Sequence, residues 1–387
     1  MLRFKIIAEL SNKYATDPSH TAILHLFNPS QEIALADGSI NFQPKAMVKL
    51  MESQLWDFPL FYADKGDYLL TPDNSIVDLN GNRIDGPTTD LIPFPWGWNK
   101  VVRRRFISCG ISDKFMPTDY QIEQLRELAS RKFCVQYIRN LLKHIDSHKY
   151  ENRLVGYDMN FSSHNELNGL PDKSLIFKQL WSSSGRGNFV ASIKDSSTAI
   201  RLSGFIRNQG GFVYDFFYTK ILDFAMEFYV FLDGSVNFVG YSVFKTDNKG
   251  KYEGNFLIGQ KDMENMILDK LQDPTLLLTV KNAHLSLLKA SLAGKYTGFV
   301  GIDMMIVDND GIMACHPCVE INLRMNMGVV AMKTYRRLRW LDDGDGNIGD
   351  SEDGAWWRSS IRDSEDDKRE RGFHTDLKSC LISIKYS

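Results

Sequence analysis

Two stretches of the chain hold residue types and spacings suited to chemistry. In KQLWSSSGRG (178–187), Lys178 stands at the end of an apolar run and a Ser/Gly segment follows it. Successive backbone N–H groups and hydroxyls in such a loop can fold over phosphate oxygens, and a lysine adds a point charge. It is not a Walker A loop, since no Gly-Lys-Ser/Thr closes it. The plain alternative is a polar turn between two strands. The second stretch is Gly301-Ile302-Asp303-Met304, followed seventeen residues after Asp303 by Glu320-Ile321-Asn322-Leu323-Arg324. Glu320 and Asn322 are at i and i+2, so a strand presents both on one face. Two carboxylates and an amide oxygen are hard donors of the kind Mg²⁺ takes, with phosphate oxygens completing the shell. The alternative is a set of solvated strand residues. An acid inside an apolar run such as TGFVGIDMMIV (297–307), however, needs a partner to offset its desolvation.

Weaker signals have plainer readings. Cys315-His316-Pro317-Cys318 lacks the second ligand pair that a structural zinc site requires, so it is expected to be a turn before the Glu320 strand. Trp96-Gly97-Trp98 is expected to pack at a domain edge. His25, Asn28, Ser30 and Gln31 border the carboxyl end of the first strand, where open α/β sheets bind ligands, and are candidate substrate contacts.

The elements that must position these residues follow from pattern. TAILHLF (21–27) reads as a buried strand, QEIALADGS (31–39) as helix-compatible, and PKAMVKLMESQL (44–55) as a helix opened by proline. FPLFYA (58–63) and DYLLT (67–71) read as short strands and NGNRIDG (80–86) as turns. Strand, helix, strand implies a small parallel-sheet domain over residues 1–112. From Thr118 or Asp119, plausible caps, helical periodicity runs unbroken to Ile145. The polar stretch 158–173 reads as a loop and SLIFKQL (174–180) as a strand. Further strands are expected at 212–218, 224–232, 236–245 and 298–307, with a helix at 275–293. This order differs from the regular βα alternation of a doubly wound dehydrogenase, and no GxGxxG follows the first strand.

Composition bounds the rest. The 387 residues, 46 basic and 48 acidic, suggest two to three domains at ~150 residues each and argue against a large sequence-independent nucleic-acid surface, leaving room for a local basic patch. With 43% hydrophobic and 12% aromatic residues the chain can bury sizeable cores. Glu9 interrupts the apolar start, and no run of ~18 apolar residues exists, so neither a signal peptide nor a spanning helix is expected. Five widely spaced cysteines suit a reducing compartment, and a cytoplasmic location is expected. Between Leu341 and Gly372 there are eleven acids and few apolar residues, so 341–387 is expected to be an acidic, mobile tail with a late strand at LISIKY (381–386). The break in composition also fits a frameshifted end.

Taken together, Lys178, the SSSGRG segment, Asp303 and Glu320-x-Asn322 resemble the ATP-grasp superfamily over roughly residues 117–335. The resemblance implies a mixed α/β and α+β chain: an ATP-grasp fold at 113–340, two α+β subdomains gripping the nucleotide, preceded by a small Rossmann-like pre-ATP-grasp domain. Carried over by position, Lys132 matches the lysine that reaches the α-phosphate and Lys178 the second nucleotide lysine. Ser183, Ser184, Gly185, Arg186 and Gly187 match the flap over the β- and γ-phosphates. Val213 lies in the segment that binds adenine through its backbone, Asp215 stands where many relatives place a ribose-binding glutamate, and Glu227 matches an acid near the nucleotide. Asp303, Glu320 and Asn322 match ligands of Mg²⁺, with Mn²⁺ a substitute, and Arg324 matches a basic residue beside the transferred phosphoryl group. The implied activity is an ATP-dependent ligase joining a small carboxylate to an amine or thiol through an acyl phosphate, with release of ADP and phosphate. Neither nucleic acid nor membrane is an expected partner. A different class of reading is a nucleotide-binding module of reduced turnover whose acidic tail engages a partner. Retention of both lysines and of all three metal donors weighs against it.

Overall fold

The computed structural model describes residues 2–84, 90–145, 149–164, 173–182, 185, 187–247, 250, 252–342, 372–376 and 381–385. The N-terminal unit contains α1 (Leu2–Tyr14), β1 (Thr21–Leu26), α2 (Gln31–Asp37), α3 (Ala46–Gln54), β2 (Tyr68–Leu70), β3 (Ile76–Asp78), β4 (Asp90–Pro95) and α4 (Lys100–Ser108). Its sheet runs β3-β2-β1-β4, with β1 parallel to β2 and β4 and buried at every position, as a central parallel strand must be. Residues 58–63 differ from the expected strand: Phe58–Phe61 is a 3₁₀ turn. Pro59 has no N–H to give a sheet ladder, and the tight turn brings Phe58, Tyr62 and Ala63 together in the core.

The periodicity over 119–144 belongs to two helices rather than one, α5 (Asp119–Leu128) and α6 (Arg131–His144). Thr118 forms a capping box with Gln121 at the start of α5. At the break, the Ser130 hydroxyl accepts from Lys132 N–H at 3.2 Å, while Arg131 N–H donates to the Leu180 carbonyl at 2.9 Å. That second bond is made outside the helix, and it turns the first residue of α6 toward the strand carrying Lys178.

A small antiparallel sheet follows, ordered β5-β8-β6-β7: β5 (Asn160–Ser162), β6 (Leu175–Gln179), β7 (Phe189–Ala191) and, after α7 (Ser196–Gln209), β8 (Phe212–Phe216). β5 lies within the stretch expected to be loop. Leu175, Phe177 and Phe212 on one face pack with Phe189, Leu202 and Phe205. Cross-strand pairing of Lys178 with Val213 and of Ile176 with Asp215 puts those four on the other face.

The large sheet is built from β9 (Thr219–Val230), β10 (Val236–Thr246), β11 (Tyr252–Phe256), β12 (Gly298–Asn309), β13 (Ile312–Asn322), β14 (Gly372–Asp376) and β15 (Leu381–Lys385), in the order β13-β12-β9-β10-β11-β15-β14. Between its strands run α8 (Gln260–Leu271) and α9 (Pro274–Leu292), and α10 (Met327–Asp342) follows β13. Along β9, Phe224, Met226 and Phe228 point into the core shared with α6, α8 and α9. The alternate residues Tyr229 and Phe231 face the N-terminal unit, where they join Phe27, Trp96, Phe299 and Val330 in a second core. Each such side chain removed from water contributes roughly 1.5–3 kcal/mol, so this seam holds the N-terminal unit firmly on the large sheet.

Two expectations are corrected here. Cys315 and Cys318 lie within β13 rather than in a turn, because residues 312–322 pair with β12 along their length around a bulge. The tail carries two strands, 372–376, which was not expected, and 381–385, and β15 extends the large sheet from β11, as expected of LISIKY. Backbone pairing to an existing sheet edge gives those few residues order that their composition did not suggest. Residues 343–371 lie outside the described residues. Among the described residues, no helix is long and apolar enough to cross a membrane.

Candidate active site

The site is built first by sheet register. Glu227 on β9 lies opposite Gly301 on β12, which lies opposite Asn322 on β13; one step along, Asp303 lies opposite Glu320. Period-two alternation therefore gathers three carboxylates and an amide on one face of three adjacent strands. Gly301 is required in the middle of this row: a Cβ there would stand 2.5 Å from Asn326 Nδ2 and 2.9 Å from Glu227 Oε2.

The electrostatics of this face are unusual. Burial, with Glu320 and Glu227 as like-charged neighbours, pushes the Asp303 carboxyl up to about 8. Asn322 Nδ2 donates to Asp303 Oδ2 at 3.1 Å, and Arg324 Nη2 donates to Asn322 Oδ1 at 2.9 Å. Glu227, 1% exposed, is pushed up to about 7 by burial although Asn326 and Ser242 donate to its two oxygens at 2.7 and 2.9 Å. Arg324 is itself buried; its charge is held by Glu32 of α2, which accepts from its Nε.

From the small sheet comes Lys178, 6% exposed, its ammonium shifted down by burial and, in the opposite sense, up by Asp215 and Glu320. Among the described residues it makes no hydrogen bond or ion pair at close range. A buried ammonium without a direct partner is a strong candidate to meet an anion. Between the two sheets sits Arg131, donating to Glu320 Oε1, the Gln179 carbonyl and Ser182 Oγ, each at 2.7 Å. Asp215 Oδ2 lies 2.8 Å from His316 Nε2 of β13, and its other oxygen accepts from Phe216 N–H, so its carboxylate is spent on joining the two sheets. Val213 is buried opposite Lys178.

The remaining residues singled out from the sequence divide. Lys132 is exposed at the edge of the site, its ammonium 4.9 Å from the centre of the Phe161 ring on β5. Gly185 and Gly187 have φ of +70° and +80°, a backbone that glycine adopts without strain. Ser183, Ser184 and Arg186 lie outside the described residues. In the N-terminal unit, His25 is buried with Nε2 3.0 Å from Asp67, away from any open surface. Asn28 exchanges hydrogen bonds with Gly97, Ser30 donates to Glu52 at 2.5 Å, and Gln31 packs on Gly97. These residues shape the wall that carries Glu32. Asn28, Ser30 and His25 spend their polar groups inside it.

Arg131, Glu32 and His316 were not visible as site residues in the sequence. Arg131 had one signal, its place beside Ser130 and Lys132 at a helix start, but the unbroken periodicity hid that start. Asp303, Glu320 and Asn322 carry oxygen donors on one face of the sheet, and by donor type the set fits a divalent ion of the magnesium type. Among the described residues, no three Asp, Glu, His or Cys side chains form a metal-holding group by themselves.

No family model matches the chain, and no curated protein matches it. Among solved structures it is similar to D-alanyl-alanine synthetase A from Vibrio cholerae, at 11% identity and a TM-score of 0.41, over 83% of this chain and 92% of that one. It is similar to D-alanine–D-alanine ligase from Helicobacter pylori, also at 11% and 0.41, over 84% and 98%. A third, N5-carboxyaminoimidazole synthetase from Staphylococcus aureus complexed with ADP, matches at 11% and 0.41 over 81% and 77%.

Proposed function

We propose that this protein is an ATP- and magnesium-dependent ligase that joins a small carboxylic acid to an amine. The observation that carries this reading is one of placement. Asp303, Glu320 and Asn322 share a face of the large sheet, while the ammonium of Lys178, without a hydrogen bond or ion pair among the described residues, comes from a different sheet. A nucleotide triphosphate lying between them has cationic and oxygen-donor partners on both sides. Val213 and the strand around it line the inner end. Glu227 lies beneath the donor row and supports it.

Asp303, Glu320 and Asn322 would hold magnesium, which when bound would supply charge neutralisation for the phosphates. Lys178 holds the β- and γ-phosphates in place, and Arg324 orients the acid substrate. A carboxylate oxygen attacks the γ-phosphorus, the bond from that phosphorus to the bridging oxygen breaks, and ADP leaves. The amine nitrogen then attacks the acyl carbon, phosphate departs with the carbon–oxygen electron pair, and the nitrogen loses a proton. No covalent protein nucleophile is needed, since positioning and charge do the work.

The test is ADP release from purified protein across a panel of amino acids and small peptides, with hydroxylamine present to trap an acyl phosphate as hydroxamate. ADP and hydroxamate are the expected products. AMP and pyrophosphate from the cognate acid would overturn the mechanism.

A further inference from the structure

Arg131 has no role in the reaction as written, yet it is the most heavily engaged cation of the site. Its side chain is 3% exposed. Nη2 donates to Glu320 Oε1 at 2.7 Å and to the Ser182 carbonyl at 3.2 Å. Nη1 donates to the Gln179 carbonyl and to Ser182 Oγ, both at 2.7 Å. Nε is buried without a hydrogen-bond partner. One planar group thus grips a proposed metal donor on β13, the end of the Lys178 strand, and Ser182.

We propose that Arg131 is a positioning residue that competes with the metal for Glu320 and transmits the outcome to Ser182 and the end of the Lys178 strand; this rests on the ligase reading above. While Glu320 is paired with Arg131, one of its oxygens is committed and Ser182 is held by the same guanidinium. When Glu320 turns to a divalent cation, Nη2 loses that acceptor and keeps only its longer bond to the Ser182 carbonyl, while Nη1 stays on Gln179 and Ser182. The fork geometry matters, because a guanidinium can keep two acceptors on one edge while exchanging a third on the other. A merely structural buried cation would act differently: its removal would weaken metal and nucleotide binding together by loosening the fold.

The test measures Mn²⁺ binding, by calorimetry and electron paramagnetic resonance, in the presence of a non-hydrolysable ATP analogue. Hydrogen exchange at residues 179–182 is followed alongside. Removing the competitor in Arg131→Gln is expected to tighten Mn²⁺ by about tenfold, the worth of one charge-assisted hydrogen bond, while exchange there rises and turnover falls. Arg131→Lys keeps the competing charge but not the fork, so Mn²⁺ affinity should stay near wild type while exchange again rises. Mn²⁺ affinity unchanged or weaker in a folded Arg131→Gln protein overturns the proposal. Should that variant fail to fold, Ser182→Ala carries the test: Mn²⁺ affinity is expected to hold and exchange to rise, and unchanged exchange overturns the coupling. Wild type that binds neither analogue nor Mn²⁺ overturns the ligase reading and this inference with it. Wild type that binds both, beside an Arg131→Gln protein that does not tighten, overturns this inference alone.

Discussion

Glu32 on α2 and Arg324 just beyond β13, 292 residues apart in sequence, form an ion pair whose side chains are only 11% and 14% exposed. The pair brings the N-terminal unit to the candidate site. The same Arg324 holds Asn322, which in turn holds Asp303, so one chain of hydrogen bonds runs from α2 to the proposed metal donors.

Breaking that link from the N-terminal side should be costly. Glu32→Ala leaves the mostly buried Arg324 without its direct carboxylate partner, with Glu320 and Asp303 acting on it only at longer range, and a stability loss of about 3 kcal/mol is expected in urea unfolding. Glu32→Ala combined with Arg324→Ala should lose less than the sum of the single losses. Additive losses would show that the two residues do not couple.

Glu320→Ala should abolish magnesium-dependent ADP release while circular dichroism stays that of the wild type. The residue is one-quarter exposed, and its loss opens no core cavity. Wild-type activity in this variant would remove Glu320 from the metal set.

Lys178→Ala should weaken ATP by about 10- to 100-fold, the worth of one charge-assisted contact to phosphate, and leave adenosine nearly unaffected. Calorimetry with both ligands reads the difference. Equal losses would make Lys178 a structural residue.

The Asp303 carboxyl predicts a pH dependence of the metal-free protein. Its folded value of about 8 lies above the ordinary 3.8, because burial and then Glu320 and Glu227 oppose its charge. Below 3.8 both folded and unfolded chains carry the proton, and the group costs nothing. Between 3.8 and about 8 the unfolded chain releases the proton and the folded chain keeps it, so stability falls as pH rises. Asp303→Asn removes this term while Asn322 can still donate to it. Its melting temperature should exceed that of the wild type at pH 8 and converge with it toward pH 4; parallel curves would contradict the shifted carboxyl.

Some of this protein is legible in its sequence by itself. The strand at 21–26, the helix at 274–292, the alternation along β9 and the facing of Glu320 with Asn322 rest on local patterns, in which each residue's neighbours decide its conformation. The stretch from Lys178 to Gly187 and the Asp303…Glu320-x-Asn322 set likewise stand out as residue types at fixed spacing. Other features were decided only in three dimensions. Helical periodicity continues through residues 129–130, but Arg131 N–H finds the Leu180 carbonyl and Ser130 caps a new helix, so the chain breaks there. Pro59 could begin a strand or a turn; Arg337 and Lys333 of α10, donating to carbonyls of residues 60, 62 and 63, reward the turn. Asp215 reads as a free acid on a strand until His316 from another sheet stands 2.8 Å away. A buried hydrogen bond or ion pair takes its energy from both partners at once, and when they lie a hundred or more residues apart neither one's neighbours in the sequence carry any mark of it.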